Sequence, residues 1–357
     1  MSLSKIFRHT VSRAVLTAGV VIASAANASD AYRSTLPIQG ALPSLAGATD
    51  WLNSAPLTSE SLRGKVVLVD FWTYSCINCI RTIPYVRAWA DKYKDQGLVV
   101  IGVHTPEFDF EGDEANIRQA IARFGITYPV AVDSDHAIWG AFHNRFWPAL
   151  YFVDANGRIR HHQYGEGDYD TSERAIQDLL AEAAGQRKAD EGLVVPRAKG
   201  TEVAPDPAGV ASDETYVGYD KAEGFASPEG FAENRRQHYS VGRPRLNQWG
   251  LTGDWTVHGD CATVDREGGT ITYRFRTRDL HLVLAPGKDG KPLRFRVLLD
   301  GKAPGAAHGT DTDGQGNGTI GETRLYQLVR QAGDTGEHTF VIQFIDAGAS
   351  AYAFTFG

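Results

Sequence analysis

Gly64-Lys65-Val66-Val67-Leu68-Val69-Asp70-Phe71-Trp72-Thr73-Tyr74-Ser75-Cys76-Ile77-Asn78-Cys79 is the stretch on which the reading of this chain turns. The run Val66 to Val69 is apolar without alternation, as in a strand covered on both faces. A long helical stretch follows Cys76, so two cysteines separated by two residues stand where a strand becomes a helix. Unpaired amide N–H groups and the helix dipole at that place favour thiolate over thiol. Cys76 is therefore expected to be the nucleophile and Cys79 the resolving partner, attack giving a mixed disulfide that Cys79 releases.

The chain holds only three cysteines, Cys76, Cys79 and Cys261. A structural disulfide framework would use more, and a bridge across two residues closes too small a loop to stabilise much. Zinc would need two further ligands, for which only His104, His161 and His162 are at hand, so redox chemistry is the better reading. Cys261 stands alone and reads as a buried, inert thiol.

Outward from the motif, Leu98 to Val103 is a second buried strand. Asp113 to Phe124 is an amphipathic helix ending at Gly125, Tyr128 to Val132 a short strand, and Ala137 to Phe142 a helical turn or two. Ala149 to Val153 and Ile159 to Gln163 flank the hairpin signal Asp154-Ala155-Asn156-Gly157, and a last helix spans about Thr171 to Ala184. Strands alternating with helices predict a parallel α/β sheet. Residues 29–56, broken by Pro37, Pro43 and Pro56, read as a lead-in before a redox domain over 57–185. Residues 186–214, rich in Ala, Gly, Pro and charge, read as a linker. Over 215–357 the pattern becomes all-β, with Ile271, Tyr273 and Phe275, then Leu293, Phe295, Val297 and Leu299, then Phe340, Ile342 and Phe344 alternating with polar residues; a β-sandwich is expected.

Residues 1–28 read as a secretory signal peptide: Lys5, Arg8 and Arg13 precede the apolar Ala14 to Ala26, and Ala26-Asn27-Ala28 supplies a cleavage pattern. The apolar run is shorter than the ~20 residues a bilayer needs. Export of a soluble protein to a bacterial periplasm is the expectation. The net charge of −7 becomes −10 once that segment, with three cations and no acid, is removed, which disfavours nucleic acid as a partner.

Residues 64–79 resemble the active-site segment of thioredoxins, in particular of the periplasmic TlpA-like branch, and the resemblance covers about residues 57–185. It implies a thiol–disulfide oxidoreductase that needs no cofactor beyond the pair Cys76–Cys79 and acts on exported protein thiols and disulfides. Asp70 occupies the place of a buried acid that moves protons during resolution; the alternative is a strand-end residue satisfied by a backbone amide. Trp72 fills the aromatic position beneath the site and, with Trp147, is a candidate for contact with a substrate chain. Pro84 matches the proline that kinks the active-site helix. Phe146-Trp147-Pro148-Ala149-Leu150 resembles the stretch carrying the family's cis-proline, which implies a cis bond at Pro148 and the backbone of Trp147 beside Cys76. Glu107 follows the second strand where TlpA-like reductases often carry an acid near the cysteines; an exposed loop carboxylate is the other reading, and His104 is equally open. Ile77-Asn78 replaces the Gly-Pro of thioredoxin, and Trp147 is bulkier than the usual residue before the proline, so the reduction potential is not fixed by the resemblance.

Residues 215–357 resemble the C-terminal module of DipZ-type proteins, a carbohydrate-binding-module-like sandwich. The resemblance rests on Asn247-Gln248-Trp249-Gly250-Leu251-Thr252-Gly253-Asp254-Trp255, Arg278-Asp279-Leu280-His281-Leu282, Arg324-Leu325-Tyr326-Gln327-Leu328-Val329-Arg330 and the closing Ala351 to Gly357. Such a fold does not establish glycan binding. Trp249, Trp255, Tyr326 and Tyr352 would stack on a sugar if exposed, but core is the more common place for them. Asp311 to Glu322 has partial calcium-loop spacing and reads better as a turn-rich loop. DipZ-type proteins also carry an electron-conducting membrane domain, so a separate membrane electron-transfer protein is the expected reductant here. The competing readings are a thiol peroxidase using Cys76 and a glycan-binding protein whose thioredoxin-like part merely docks a partner.

Overall fold

Strand β3 (Val66–Trp72) is buried at every residue, as its unalternating sequence requires. In the computed structural model, which describes residues 32–186, 192–206, 209–287, 289–333 and 335–357, it is the centre of a seven-stranded sheet. In chain order the redox domain runs β1 (Gly40–Ala41), β2 (Asp50–Leu52), β3, α1 (Ile77–Tyr93), β4 (Leu98–His104), α2 (Glu114–Phe124), β5 (Val130–Val132), α3 (Ala137–Ala141), β6 (Ala149–Val153), β7 (Arg158–Tyr164) and α4 (Tyr169–Ala183). The sheet order is β1-β7-β6-β3-β4-β5-β2; β3, β4 and β5 are parallel, and β1, β2, β6 and β7 pair antiparallel to their neighbours. Val66, Leu68 and Trp72 face the core under α1, α2 and α4, and Val67, Val69 and Phe71 the core against α3. The period of two places Asp70 on the α1 side, beneath the cysteines.

The signal segment 1–28 lies outside the described residues. The lead-in is not free of structure: β2 pairs with β5 and β1 with β7, so order begins before Leu57. Edge strands of two and three residues are too short to show a period. The linker is also partly docked. Val194 N–H donates to Glu173 (2.8 Å), Lys92 Nζ to the carbonyl of Gly192 (2.6 Å), and Arg87 pairs with Glu202 (3.1 Å), contacts made by polar groups that leave no apolar pattern.

The second domain is all-β: β8 (Thr215–Tyr216), β9 (Arg236–Tyr239), β10 (Trp249–Val257), β11 (Ala262–Val264), β12 (Thr270–Phe275), β13 (Asp279–Ala285), β14 (Leu293–Leu299), β15 (Asn317–Ile320), β16 (Arg324–Arg330), β17 (His338–Phe344) and β18 (Ser350–Phe356). The two layers of the expected sandwich are halves of one sheet, ordered β15-β14-β17-β12-β10-β11-β18-β13-β16, with β8 on β18 and β9 on β10. Strand β10 belongs to both halves: residues 249–252 pair with β12, and residues beyond them with β9 and β11. The change falls at Gly253, whose φ of 93° favours glycine. Rings meet across the fold, Phe354 lying 5.0 Å from Tyr273 and 6.0 Å from Phe340.

Tyr32–Gly357 forms one compact unit. Strand β13 is buried throughout because Leu280, Leu282 and Leu284 fill the β-domain core while Val283, with Leu325 of β16, joins the core of the redox domain. Gly357 ends the chain against Arg81 of α1, and a Cβ there would stand 1.8 Å from the guanidinium.

Candidate active site

Cys76 caps α1 with extended dihedrals (φ −78°, ψ 117°), and the amide of Cys79 donates to its Sγ at 3.3 Å. A sulfur thus takes the place of the oxygen that ordinarily satisfies a first-turn amide. Cys76 is partly exposed and Cys79 buried. Burial, then the hydrogen bond and charge of Cys76, push the Cys79 thiol well above its ordinary range. The outer sulfur is therefore reachable from solvent, while burial favours the protonated thiol of the inner one.

The Trp147–Pro148 peptide bond is cis, and the carbonyl oxygen of Trp147 stands 3.9 Å from Cys76 Sγ. The indole of Trp147 is fixed by donation from Nε1 to the carbonyl of Thr105 (3.0 Å) and by packing on Trp139, 4.1 Å between centroids. Asp70 lies at 1 % exposure with neither carboxylate oxygen hydrogen-bonded, so it is not satisfied by a backbone amide. Burial pushes its carboxyl up to about 7, and its charge in turn raises the Cys79 thiol. Trp72 is wholly buried, edge-on to His104 at 4.9 Å; it supports the site from beneath and offers no surface to a substrate chain, which corrects its place among the substrate contacts. His104 is buried, 3.4 Å from Thr73 Oγ1 and stacked on Tyr74, and burial lowers it to about 3. Pro84 lies inside α1.

Glu107 does not turn to the cysteines. Its carboxylate takes the hydroxyl of Tyr216 and lies 3.5 Å from Lys221 Nζ, both from the β domain. The acid bonded to the residue before Cys76 is Glu111, which sequence reasoning missed. It is wholly buried and accepts from the amide (3.3 Å) and hydroxyl (2.6 Å) of Ser75, the residue before Cys76. Its other oxygen accepts the amides of Glu107 (2.7 Å) and Phe108 (3.1 Å). Burial raises its carboxyl and these bonds oppose the rise. Its only local signal is its place directly after the two aromatic residues of Phe108-Asp109-Phe110-Glu111.

Among the described residues no three His, Cys, Asp or Glu side chains converge as a metal site. Strands β3 and β6 separate His104 on β4 from His161 and His162 on β7. Asp311 pairs with Arg324, Asp313 accepts the amides of Gln315 and Asn317, and Glu322 pairs with Arg123, so the acids of the 311–322 loop are turned to different partners. Trp249, Trp255 and Tyr326 are core, and Tyr352 packs against Phe108 and Phe110. Cys261 is buried, its thiol pushed up to about 12 by desolvation. No helix among the described residues is long and apolar enough to cross a membrane.

Two family models match, Redoxin over residues 41–180 and the thioredoxin-like C-terminal domain over residues 212–357. Protein DipZ of Mycobacterium bovis is 38% identical over 269 residues, which are 72% of this chain and 38% of that protein, so the chain spans well under half the length of that relative. The thiol-disulfide oxidoreductase YkuV of Bacillus subtilis is 38% identical over 141 residues, 40% of this chain and 95% of that one. A solution structure of a thioredoxin-like protein in the oxidized form aligns at 39% identity and a TM-score of 0.38, over 40% of this chain and 96% of that one. With a relative matched over nearly its whole length and the β domain matched as well, the chain belongs to the thioredoxin-like thiol–disulfide oxidoreductases of the DipZ/TlpA-like kind.

Proposed function

We propose that Cys76 and Cys79 are the redox couple of an enzyme that exchanges disulfides with exported proteins. The observation that carries this reading is the inequality of the two sulfurs: one partly exposed at a helix N-cap beside the Trp147 carbonyl, the other buried. In the reducing direction the Cys76 thiolate attacks one sulfur of a partner disulfide, forming a mixed disulfide and releasing the partner's first thiolate, which takes up a proton. Cys79 then gives its proton to the Asp70 carboxylate and attacks Cys76 Sγ. The mixed disulfide breaks, the second partner sulfur leaves as a thiolate and takes up a proton, and two electrons have passed from the cysteine pair to the partner. An acid that titrates near 7 suits that transfer. The oxidising direction is the same sequence reversed.

The signal-like segment 1–28 supports a periplasmic setting, where such partners occur. A membrane electron-transfer protein is the reductant that would restore the dithiol. Purified Cys79→Ser, mixed with an oxidised protein substrate, is expected to stall as a one-to-one mixed disulfide on Cys76, visible by mass, and Cys76→Ser to give none. Adduct formation on Cys79 in preference to Cys76, or on neither, would overturn the reading.

A further inference from the structure

We propose that the β domain is a working part of the redox site: Tyr216 and Tyr352 are positioning residues that hold the turn carrying Glu111, and Glu111 holds Ser75 next to Cys76. The inference rests on the reading of Cys76 and Cys79 as the redox couple.

The chain of contacts begins at the motif. Both the amide and the hydroxyl of Ser75 rest on one oxygen of Glu111, so the backbone entering Cys76 is pinned to a buried carboxyl. The second oxygen binds the amides of Glu107 and Phe108, so Glu111 also fixes its own turn, Asp109–Gly112. These partners are neutral donors, and a buried carboxyl held by neutral donors responds to small displacements because the surrounding dielectric is low.

From the other side the turn is held by the second domain. Phe108 and Phe110 stack on each other at 5.4 Å, and Tyr352 of β18 lies edge-on to both, at 5.5 and 4.6 Å. Tyr216 of β8 packs 6.1 Å from Phe108, and its hydroxyl donates to Glu107, whose own amide is one of the donors to Glu111. Lys221 reinforces Glu107 at 3.5 Å. Tyr74, within the motif, donates to the carbonyl of Phe110 at 3.2 Å and closes the loop of contacts. Phe108 is 7 % exposed, with both tyrosines against it. The β domain thus reaches the residue before the nucleophile through three hydrogen-bonded steps, Tyr216 to Glu107, the Glu107 amide to Glu111, and Ser75 to Glu111, without touching the sulfur.

The test uses the full chain, equilibrated with glutathione buffers, with thermal stability and the pH profile of Cys76 alkylation measured in parallel. Glu111→Gln removes the buried carboxyl that holds Ser75 and is expected to shift the equilibrium toward the dithiol by ~10-fold, ~30 mV for a two-electron couple. Tyr216→Phe removes one hydroxyl and is expected to shift it the same way by ~3-fold, ~15 mV by the same conversion. The double variant is expected to go no further than Glu111→Gln alone. Tyr352→Phe keeps its ring against Phe108 and Phe110 and is expected to match the wild type. If Tyr216→Phe fails to fold, Glu107→Gln opens the same link from the other side with the same expected shift. A wild-type potential in folded Tyr216→Phe, or full additivity in the double variant, overturns the inference while leaving the redox couple intact. Failure of Cys76 to exchange in every variant overturns both.

Discussion

Cys76 Sγ lies 3.9 Å from the carbonyl oxygen of Trp147, so under the proposed reaction an extended partner chain attacked by that sulfur would meet a main-chain acceptor one step away. The carbonyl is held in place by its own indole, through the bond to Thr105 and the packing on Trp139. Trp147→Ala loses one hydrogen bond and one aromatic pair, together ~1–2 kcal/mol. The expected outcome is a KM for an oxidised protein substrate raised ~10-fold, in keeping with ~1.4 kcal/mol, while the rate with oxidised glutathione changes less than ~2-fold. Stopped-flow kinetics with both substrates checks it; equal loss on both would show that the indole serves the sulfur rather than the partner chain.

Asp70 makes a prediction whose sign follows from its burial. Its folded carboxyl titrates at about 7 against an ordinary 3.8. Between those values the folded protein keeps a proton that the unfolded chain has released, so stability falls as pH rises, by ~1.4 kcal/mol per unit. The penalty is absent below the ordinary value and complete above about 7. Asp70→Asn removes it: urea denaturation should find the variant ~4 kcal/mol more stable than the wild type at pH 8 and level with it near pH 4. The same variant should lengthen the life of the mixed disulfide, because Cys79 has lost its proton acceptor.

What was legible in the sequence was local, and what was not depended on residues far along the chain. The motif, β3 and the hairpin after Pro148 declare themselves within a dozen residues, and the fold class followed. Glu107 and Glu111 are four residues apart in one loop, and nothing local says which faces the cysteines. The answer is set by Tyr216, 109 residues downstream, which draws Glu107 away, and by Ser75, 36 residues upstream, which takes Glu111. In β13, Asp279-Leu280-His281-Leu282 alternates like β12 and β14, and only Val283-Leu284-Ala285 departs from the pattern; that both faces are covered, the second by the redox domain, emerges only from the structure.

His104 and His281 act in the opposite sense to Asp70. Both are fully buried, and desolvation lowers each to about 3 against an ordinary 6.5. As pH falls through 6.5 the unfolded chain gains protons that the folded protein refuses, so stability is full above that value and lost progressively toward 3. His104→Gln can keep a bond to Thr73 without the imidazole's proton affinity. Its stability between pH 6 and pH 4 should fall less steeply than that of the wild type, by ~1 kcal/mol per unit. An unchanged slope would mean that acid attacks the fold elsewhere.

Gly102 tests how closely the support beneath the cysteines is packed. It lies opposite Asp70 in the pairing of β3 with β4, and a Cβ added there would stand 2.9 Å from Trp72 Nε1 and 3.1 Å from the ring of Tyr128. Both rings are buried, so neither has solvent to move into. Gly102→Ala is therefore expected to cost ~1–3 kcal/mol in chemical denaturation, in the range of core overpacking. Trp72 also braces His104, which touches Thr73 and Tyr74, so the displacement should reach the loop before Cys76 and slow its alkylation in the folded variant. Adding Tyr128→Phe, which removes a buried hydroxyl that has no partner, should recover part of the lost stability without restoring the alkylation rate, because the indole would still be displaced. Recovery of both together would place the strain on Tyr128 and clear Trp72 of any part in holding the site.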